Sequence, residues 1–428
     1  MRYQPHTQVE IDEMLADIGA TSVDDLYSSV PNHLLLKRYI EDLPKGQPEM
    51  AVERDMQLWA QTNHCTSDGP FFLGAGYYKH HIPATVDYII QRGEFLTSYT
   101  PYQPEVAQGT LTAIFEFQSY IARLTGQQVA NASMYDGATS LAEAVLMANR
   151  LHKNKRTGVC IAETLHPHYK ETLETYLTHT SLKLDAHVSQ NTACVVVPYP
   201  TFYGEVPNLD KYCKICDETG AKLIVCVTEI VALGLLQPPQ QADIVVGEAQ
   251  SIGIPLSYGG PALGFFACKQ DYLRQLPGRI VGETTDVDGR RSFVLTLNTR
   301  EQHIRRDKAT SNICTNEGLC ALAFTVHASL LGEQGFKKLA RLNHAKAQQL
   351  AKVYANVDGF KVQNTTYFNE FVVQTPQKAD KIATHLHQSG IIAGYPISDH
   401  KLLVCATETN TAHDFEQLSQ ALKSLPQL

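Results

Sequence analysis

Short apolar runs alternate with amphipathic stretches between residues 61 and 325. Apolar or β-rich runs lie at residues 157–162, 193–197, 223–227, 244–246 and 264–268. Helical periodicity is found at residues 115–124, 138–151, 168–178 and 208–219. Strands with almost no polar face, separated by helices, are typical of a mostly parallel sheet covered on both faces. We therefore predict one large α/β domain for residues 61–325.

Residues 1–60 have the periodicity of a helical N-terminal arm. In residues 6–19 apolar side chains recur at helical spacing, with Thr7 as the predicted N-cap and Gly19 as the stop. Residues 24–39 predict a second helix, broken by Pro31. Such an arm packs either across a partner subunit or on its own chain, and the sequence leaves both open.

Residues 326–428 differ from the part before them. A long helix, predicted at 335–355, precedes short strands at 371–375 and 402–406 and a closing helix at 414–424. This order predicts a small C-terminal α+β domain. A large α/β domain followed by a small α+β domain is similar to the aspartate-aminotransferase-like fold, fold type I of the pyridoxal phosphate (PLP) enzymes.

Composition excludes several classes of function. The chain has 428 residues, a net charge of −8 and 43% hydrophobic residues, and its Lys and Arg are scattered, so we predict no nucleic-acid partner. The most apolar run, 223–236, is shorter than the roughly 18 residues that span a bilayer and contains Glu229. Without an apolar signal core at the N-terminus, we expect a cytoplasmic protein that does not enter the membrane. The ten cysteines are expected to be mostly buried and reduced.

The segment ADIVVGEAQSIGIPLSYGGPALGFFAC, residues 242–268, resembles the strand and loop where PLP enzymes carry the lysine that binds the cofactor. Gln250 stands at the expected lysine position. A carboxamide nitrogen is acylated and cannot form an imine with an aldehyde. We therefore expect no covalent PLP on this chain, which has either lost catalysis or works as half of a pair.

Two further features suit a cofactor only in part. Gly137, Ala138 and Thr139 begin a clean helix, whose free N–H groups and positive dipole end favour a phosphate. Asp136, the predicted N-cap, would repel that phosphate. Glu229 ends a strand where PLP enzymes of this fold place the acid that holds the pyridinium nitrogen protonated. An ordinary capped helix and a locally bonded carboxylate are the alternatives.

Residues 277–316 are rich in arginine, histidine and small polar residues. Within them Arg300, His303 and Arg305 offer cationic forks for carboxylates. A solvated basic face is the alternative. His80 and His81 form the most obvious metal pair, but adjacent residues project in different directions, so we predict no metal site.

Residues 94–109 form a loop stiffened by Pro101 and Pro104. The loop carries Tyr99, Tyr102 and Gln103. Rigid loops with tyrosines line functional sites or interfaces. The three residues are therefore candidate contributors to a site, and a plain surface turn is the alternative.

Together these stretches resemble the glycine cleavage system P-protein family, glycine dehydrogenase (decarboxylating), and within it the N-terminal half, subunit 1, of the split form. The resemblance runs almost the whole chain. It is carried by MRYQPHT (1–7), FFLGAGYYKHHIP (71–83), YTPYQPEVAQGTL (99–111), VANASMYDGATSLAEA (129–144), GIPLSYGGPALGFFA (253–267), PGRIVGETTDVDG (277–289), REQHIRRDKATSNICTN (300–316), YFNEF (367–371) and VCATET (404–409).

In that family the enzyme uses PLP to decarboxylate glycine, releases CO2 and passes the aminomethyl group to the lipoyl arm of the H-protein. The resemblance implies that subunit 2 carries the PLP lysine and that the active site lies near the interface of the two subunits. The start of the helix at Gly137 and the acid Glu229 would then be remnants of the shared fold. Two rivals stay open: an independent PLP decarboxylase or transaminase using Lys269 or Lys308, and a non-catalytic scaffold.

Overall fold

A computed structural model describes residues 5–36 and 43–425. The chain divides into two compact units, Met1–His64 and Cys65–Leu428. The helices are α1 (Gln8–Asp17), α2 (Glu49–Ala60), α3 (Ala84–Ile90), α4 (Gly93–Leu96), α5 (Gln108–Thr125), α6 (Gly137–Leu151), α7 (Pro167–Leu177), α8 (Leu209–Thr219), α9 (Gln302–Arg305), α10 (Gly318–Ala355), α11 (Ala379–Gln388) and α12 (Ala412–Lys423). The strands are β1 (Val129–Ala130), β2 (Gly158–Ile161), β3 (Lys183–Asp185), β4 (Thr192–Pro198), β5 (Lys222–Val227), β6 (Ile244–Glu248), β7 (Gly264–Cys268), β8 (Ile280–Thr285), β9 (Arg291–Thr296), β10 (Lys361–Val362), β11 (Glu370–Gln374), β12 (Tyr395–Ser398) and β13 (Lys401–Cys405).

The first unit contains α1 and α2. Thr7 caps α1 in a capping box, because its side chain accepts from the Glu10 backbone N–H while the Glu10 carboxylate accepts from Thr7. This confirms the predicted N-cap. The predicted second helix is wrong in the described residues: only one 3-10 turn, Val23–Tyr27, forms before Pro31, and residues 37–39 lie outside the described part. Helix α2, which follows Pro48, was not predicted.

The second unit is built on a seven-stranded sheet with the order β1-β7-β6-β5-β4-β2-β3. Strands β3, β2, β4, β5 and β6 run parallel, β7 pairs antiparallel with β6, and the edge strand β1 pairs antiparallel with β7. The mostly parallel sheet is therefore confirmed. Every residue of β4 and β6 is buried, as the apolar runs require when helices cover both faces.

The two faces of the sheet pack into separate hydrophobic cores. Alternate side chains of one strand, such as Val225 and Cys226, enter different cores because strand side chains alternate with a period of two. Helices α5, α8 and the first part of α10 cover one face, and α6 with α7 covers the other. The β8–β9 hairpin packs on α5 in a smaller cluster.

The C-terminal part of the same unit holds an antiparallel sheet with the order β10-β11-β13-β12. Helices α11, α12 and the end of α10 pack on it. Helix α10 serves both sheets and bends at Gly332, whose φ of 58° is left-handed. The domain boundary suggested at residue 325 lies within α10 and stays a prediction. Among the described residues, none of the helices has both the length and the apolar composition needed to span a bilayer.

Candidate functional site

The carboxyl ends of β5 and β6 meet the N-terminus of α6. Glu229 follows β5, Glu248 ends β6, and Gln250 lies two residues further on. In open α/β sheets ligands bind at this end of the strands. All three side chains are buried, with 1 to 3% of their surface exposed. This edge of the sheet is where a cofactor of the fold would be expected, and its chemistry decides whether one fits.

Gln250 is fixed in place by its own loop. Its side-chain Nε2 donates to the Ile254 carbonyl at 2.5 Å, and its backbone N–H donates to Glu248 Oε1 at 3.1 Å. The amide thus serves as a local brace. The position offers no amine, so it provides no nucleophile for an aldehyde.

The N-terminus of α6 is already filled by carboxylates. Asp136 Oδ1 accepts from the Thr139 backbone N–H at 2.7 Å, which confirms Asp136 as the N-cap. The Gly137 N–H donates to Glu248 Oε2 at 3.1 Å. These are the donors that an incoming phosphate would use. Gly137 also lies tightly against Tyr169, since a Cβ at this position would fall 2.1 Å from the Tyr169 hydroxyl.

Glu248 is the central acceptor of this arrangement. Its Oε1 also accepts from the Leu263 N–H at 2.7 Å, so the carboxylate binds three backbone donors in all. Burial raises the pKa of Glu248 to about 7, Asp136 adds to the rise, and the three donors oppose it. A phosphate dianion here would face two carboxylates in place of free N–H groups. With no amine at Gln250, and with the Gly137 and Thr139 N–H groups of α6 both held by carboxylates, the residues present do not fit PLP.

Glu229 belongs to a buried network with a histidine. Its Oε2 lies 3.0 Å from His80 Nε2, while His80 Nδ1 lies 2.9 Å from Glu408 Oε2. Glu229 Oε1 accepts from the Val231 N–H at 2.9 Å, and Asn369 donates to Oε2 at 3.4 Å. Both oxygens of Glu229 are therefore engaged within the chain. Its role as a remnant of a ring acid stays a prediction.

The same network sets the charge of His80. Burial by itself lowers the pKa of His80, but Glu229 and Glu408 outweigh it and raise the pKa to about 10. Burial raises the pKa of Glu408, and the nearby His80 with further donors reverses this and lowers it to about 2. We conclude that a protonated His80 lies between two carboxylates and ties the loop of residues 71–83 to β5 and β13.

The candidate residues of the front loop (residues 94–109) and of the Arg-rich segment (residues 277–316) are only partly brought together. Tyr102 and His303 meet edge to face, with ring centroids 5.8 Å apart. Tyr99, Gln103 and Arg305 are exposed. Whether these residues contribute to a site in an assembled complex stays a prediction.

Arg300 does not offer its fork to solvent. It is 8% exposed, and its guanidinium donates to the carbonyls of Leu276, Gly278 and Leu297. Burial lowers the pKa of its guanidinium, although the side chain keeps these three acceptors. Arg300 thus braces the turn before β8. The cation beside Tyr102 is Arg279, whose Nη2 donates to the Tyr102 hydroxyl at 3.4 Å.

Sequence reasoning missed Glu248, Arg279 and Glu408. Glu248 carries a usable signal, because a carboxylate at the end of an otherwise apolar strand must find donors when it is buried. Glu408 and Arg279 stand in polar stretches whose partners are far away in sequence, so their roles follow only from the folded chain.

Comparison with known structures first defines the fold class. A solved structure of a C-DES mutant with glycine covalently linked to its PLP cofactor superposes with a TM-score of 0.61 at 13% identity, covering 84% of this chain and 98% of that one. At this identity the similarity shows the fold alone. The second unit has the α/β fold found in PLP-dependent enzymes.

The family follows from much closer relatives. The model of the glycine cleavage system P-protein family matches residues 1–422. The probable glycine dehydrogenase (decarboxylating) subunit 1 of Maricaulis maris is 49% identical, over 99% of both chains. The crystal structure of glycine decarboxylase (P-protein) of the glycine cleavage system, in inhibitor-bound form, has a TM-score of 0.90 at 40% identity, covering 99% of each chain. The chain belongs to the glycine cleavage system P-protein family.

Proposed function

We propose that this chain is subunit 1 of a two-subunit glycine dehydrogenase (decarboxylating) and that it works in the cytoplasm. In the proposed complex, subunit 2 carries the PLP and its lysine. The complex decarboxylates glycine, releases CO2 and transfers the aminomethyl group to the lipoyl arm of the H-protein. PLP, when bound, supplies the electron sink for the loss of CO2.

One observation supports this division of labour above the others. The site at β6 and α6 keeps the fold of a cofactor pocket but fills it with Gln250 and Glu248. An enzyme that acted alone would need an amine and a free phosphate cradle at this place. A family member without either is suited to serve as the non-lysine half of a pair.

The rival in which another lysine binds PLP is disfavoured by geometry. Lys269 follows β7, which runs antiparallel to β6, so it lies beside the start of β6 and at the opposite end from Gln250. Its Nζ pairs with Asp243 at 2.8 Å. Lys269 is therefore not placed to reach the N-terminus of α6. Lys308 is exposed in the Arg-rich segment.

We expect glycine–bicarbonate exchange only when this chain and subunit 2 are mixed, because each half lacks part of the site. The assay compares this chain alone, subunit 2 alone and the mixture, each supplied with PLP and H-protein. Size-exclusion chromatography of the mixture should give one defined hetero-oligomer. Full exchange by subunit 2 alone would show that this chain is not needed for activity. Exchange by this chain alone would contradict the inference that a chain with Gln250 at the lysine position cannot bind PLP covalently.

Borohydride reduction of the reconstituted complex is expected to leave a pyridoxyl-lysine peptide on subunit 2 and none on this chain. The variant Gln250→Lys is expected to give the same result for this chain, because the Glu248 carboxylate still holds the Gly137 N–H. Mass spectrometry of tryptic peptides checks both. Efficient labelling of the new lysine would show that the pocket accepts the cofactor in spite of Glu248.

A further inference from the structure

Tyr102 combines exposure with a fixed environment. The residue is 55% exposed, yet its ring packs on the buried guanidinium of Arg279, whose Cζ is 5.6 Å from the ring centroid. The Arg279 Nη2 also donates to the Tyr102 hydroxyl at 3.4 Å, and the His303 ring meets the Tyr102 ring at 5.8 Å. Exposed side chains exchange rotamers freely unless such contacts hold them. This tyrosine is held from two sides.

Arg279 is itself rigidly supported. It is 4% exposed, and its Nη1 donates to Thr315 Oγ1 at 2.8 Å and to Asn316 Oδ1 at 3.3 Å. The turn that carries it is braced from below, because Arg300 donates to the carbonyls of Leu276 and Gly278. A buried guanidinium with fixed acceptors presents its remaining face in one orientation, and that face meets Tyr102.

The cluster is more polar than packing alone requires. Arg279 Nε and Glu301 Oε1 are both buried and have no hydrogen-bond partner in the described residues, and Arg279 Nε stays 3.8 Å from Glu301 Oε2. The two side chains are within ion-pair distance, but buried polar atoms that make no hydrogen bond still oppose folding. The fold keeps these two atoms without hydrogen bonds beneath the exposed ring of Tyr102. This arrangement favours a role for the cluster in positioning that ring.

We infer that Arg279 is the positioning residue for Tyr102, which it holds in one orientation for contact with the active site completed by subunit 2. The inference rests on the proposed function. Arg279 acts through Tyr102 and does not itself reach the substrate, since it is buried beneath the ring. Preorganisation of this kind affects the rate more than the binding of glycine, because a misplaced group loses contacts made in the transition state.

The test is a double-mutant cycle on the reconstituted complex, with Arg279→Lys, Tyr102→Ala and the double variant. Lysine keeps the charge but loses the planar fork and the stacking surface. We expect Arg279→Lys and Tyr102→Ala each to lower kcat about 10-fold or more, with the KM for glycine changed by less than about 2-fold. The double variant should lose no more than Tyr102→Ala alone.

The matched control is Arg291→Lys. Arg291 also lies over aromatic rings, at 4.9 Å from the centroid of Phe293 and 5.9 Å from that of Phe115, and neither ring belongs to residues 94–109. We expect it to leave kcat at the wild-type level. Additive losses in the cycle, or an unchanged kcat for Arg279→Lys, would overturn the inference.

A second variant guards against misfolding of Arg279→Lys. His303→Ala removes the edge contact from the exposed side and leaves the buried guanidinium in place. We expect His303→Ala to lower kcat when residue 102 is tyrosine and to have no effect on kcat in the Tyr102→Ala background. A loss of kcat that persists in the Tyr102→Ala background would count against the inference. If the wild-type complex forms but shows no glycine–bicarbonate exchange, the proposed function fails. The double-mutant cycle of Arg279→Lys and Tyr102→Ala is then measured on the affinity for subunit 2, and it decides whether Arg279 positions Tyr102.

Discussion

Replacing His80 with alanine is expected to lower the free energy of unfolding by about 3–5 kcal/mol, as when one partner of a buried ion pair is removed. His80 is 8% exposed and its two ring nitrogens bind Glu229 and Glu408. Without the imidazolium, two buried carboxylates would face each other across a cavity. The loss is large because both charges are left unpaired in a medium of low dielectric constant.

Urea denaturation of the isolated chain at pH 7 measures the loss, and His81→Ala is the matched control. His81 is exposed, and only its backbone N–H binds Glu408, at 2.7 Å. We expect that control to cost less than about 0.5 kcal/mol, as for ordinary surface substitutions. A second variant, His80→Ala with Glu229→Gln, should recover part of the stability by removing one unpaired charge. If His80→Ala unfolds at the same urea concentration as the wild type, the network carries no stability.

Most of the second unit could be predicted because its strands and helices are marked by local apolar patterns and capping residues. The runs at 193–197 and 223–227 are apolar at every position, and the strands β4 and β5 extend them by one or two residues. Helix α8 lies between Asn208 and Gly220, which cap it at its two ends as the residue types predict. Alternation of such elements is enough to specify a covered parallel sheet.

The arm shows where local rules fail. The periodicity of residues 24–39 favours a helix, but Thr21, Ser22 and Asp25 satisfy one another in a single turn. The chain then reaches Pro31, whose missing N–H and fixed φ oppose a continuing helix. Short polar side chains that bond to the nearby backbone compete with helix formation, and apolar periodicity does not record that competition.

The candidate site could be located from the sequence, but its chemistry could not be derived in full. Gln250 and Asp136 are local signals, and their positions just after β6 and at the N-cap of α6 follow from the predicted elements. The carboxylate that fills the α6 terminus, Glu248, lies 111 residues away from Gly137 in sequence. Likewise His80 meets Glu408 across 328 residues. Pairings of this length depend on the packed sheet and leave no periodic pattern.

The contribution of the buried acid Glu370 to the free energy of unfolding is expected to fall as the pH rises from 5 to 8. Its carboxylate accepts from the Ala75 N–H at 2.5 Å and from the Tyr78 hydroxyl at 2.9 Å. Burial raises the pKa of Glu370 to about 7, with a further contribution from Glu229, although the two hydrogen bonds oppose the rise. The ordinary pKa of a glutamate side chain is 4.5. A carboxyl whose pKa is higher in the folded chain stabilises it fully below 4.5, and this contribution is lost as the pH rises through 7.

The variant Glu370→Gln isolates this contribution, since an amide of similar shape does not titrate. The difference in unfolding free energy between wild type and variant should shift against the wild type by on the order of 3 kcal/mol between pH 4.5 and pH 8. Urea denaturation of both proteins at half-unit steps of pH measures the difference, and the other titrating groups cancel because both chains carry them. Glu205→Gln, at an exposed glutamate, controls for the added amide. A difference that stays constant across this range would show that Glu370 is ionised in the folded chain at pH 5, so that its hydrogen bonds outweigh its burial.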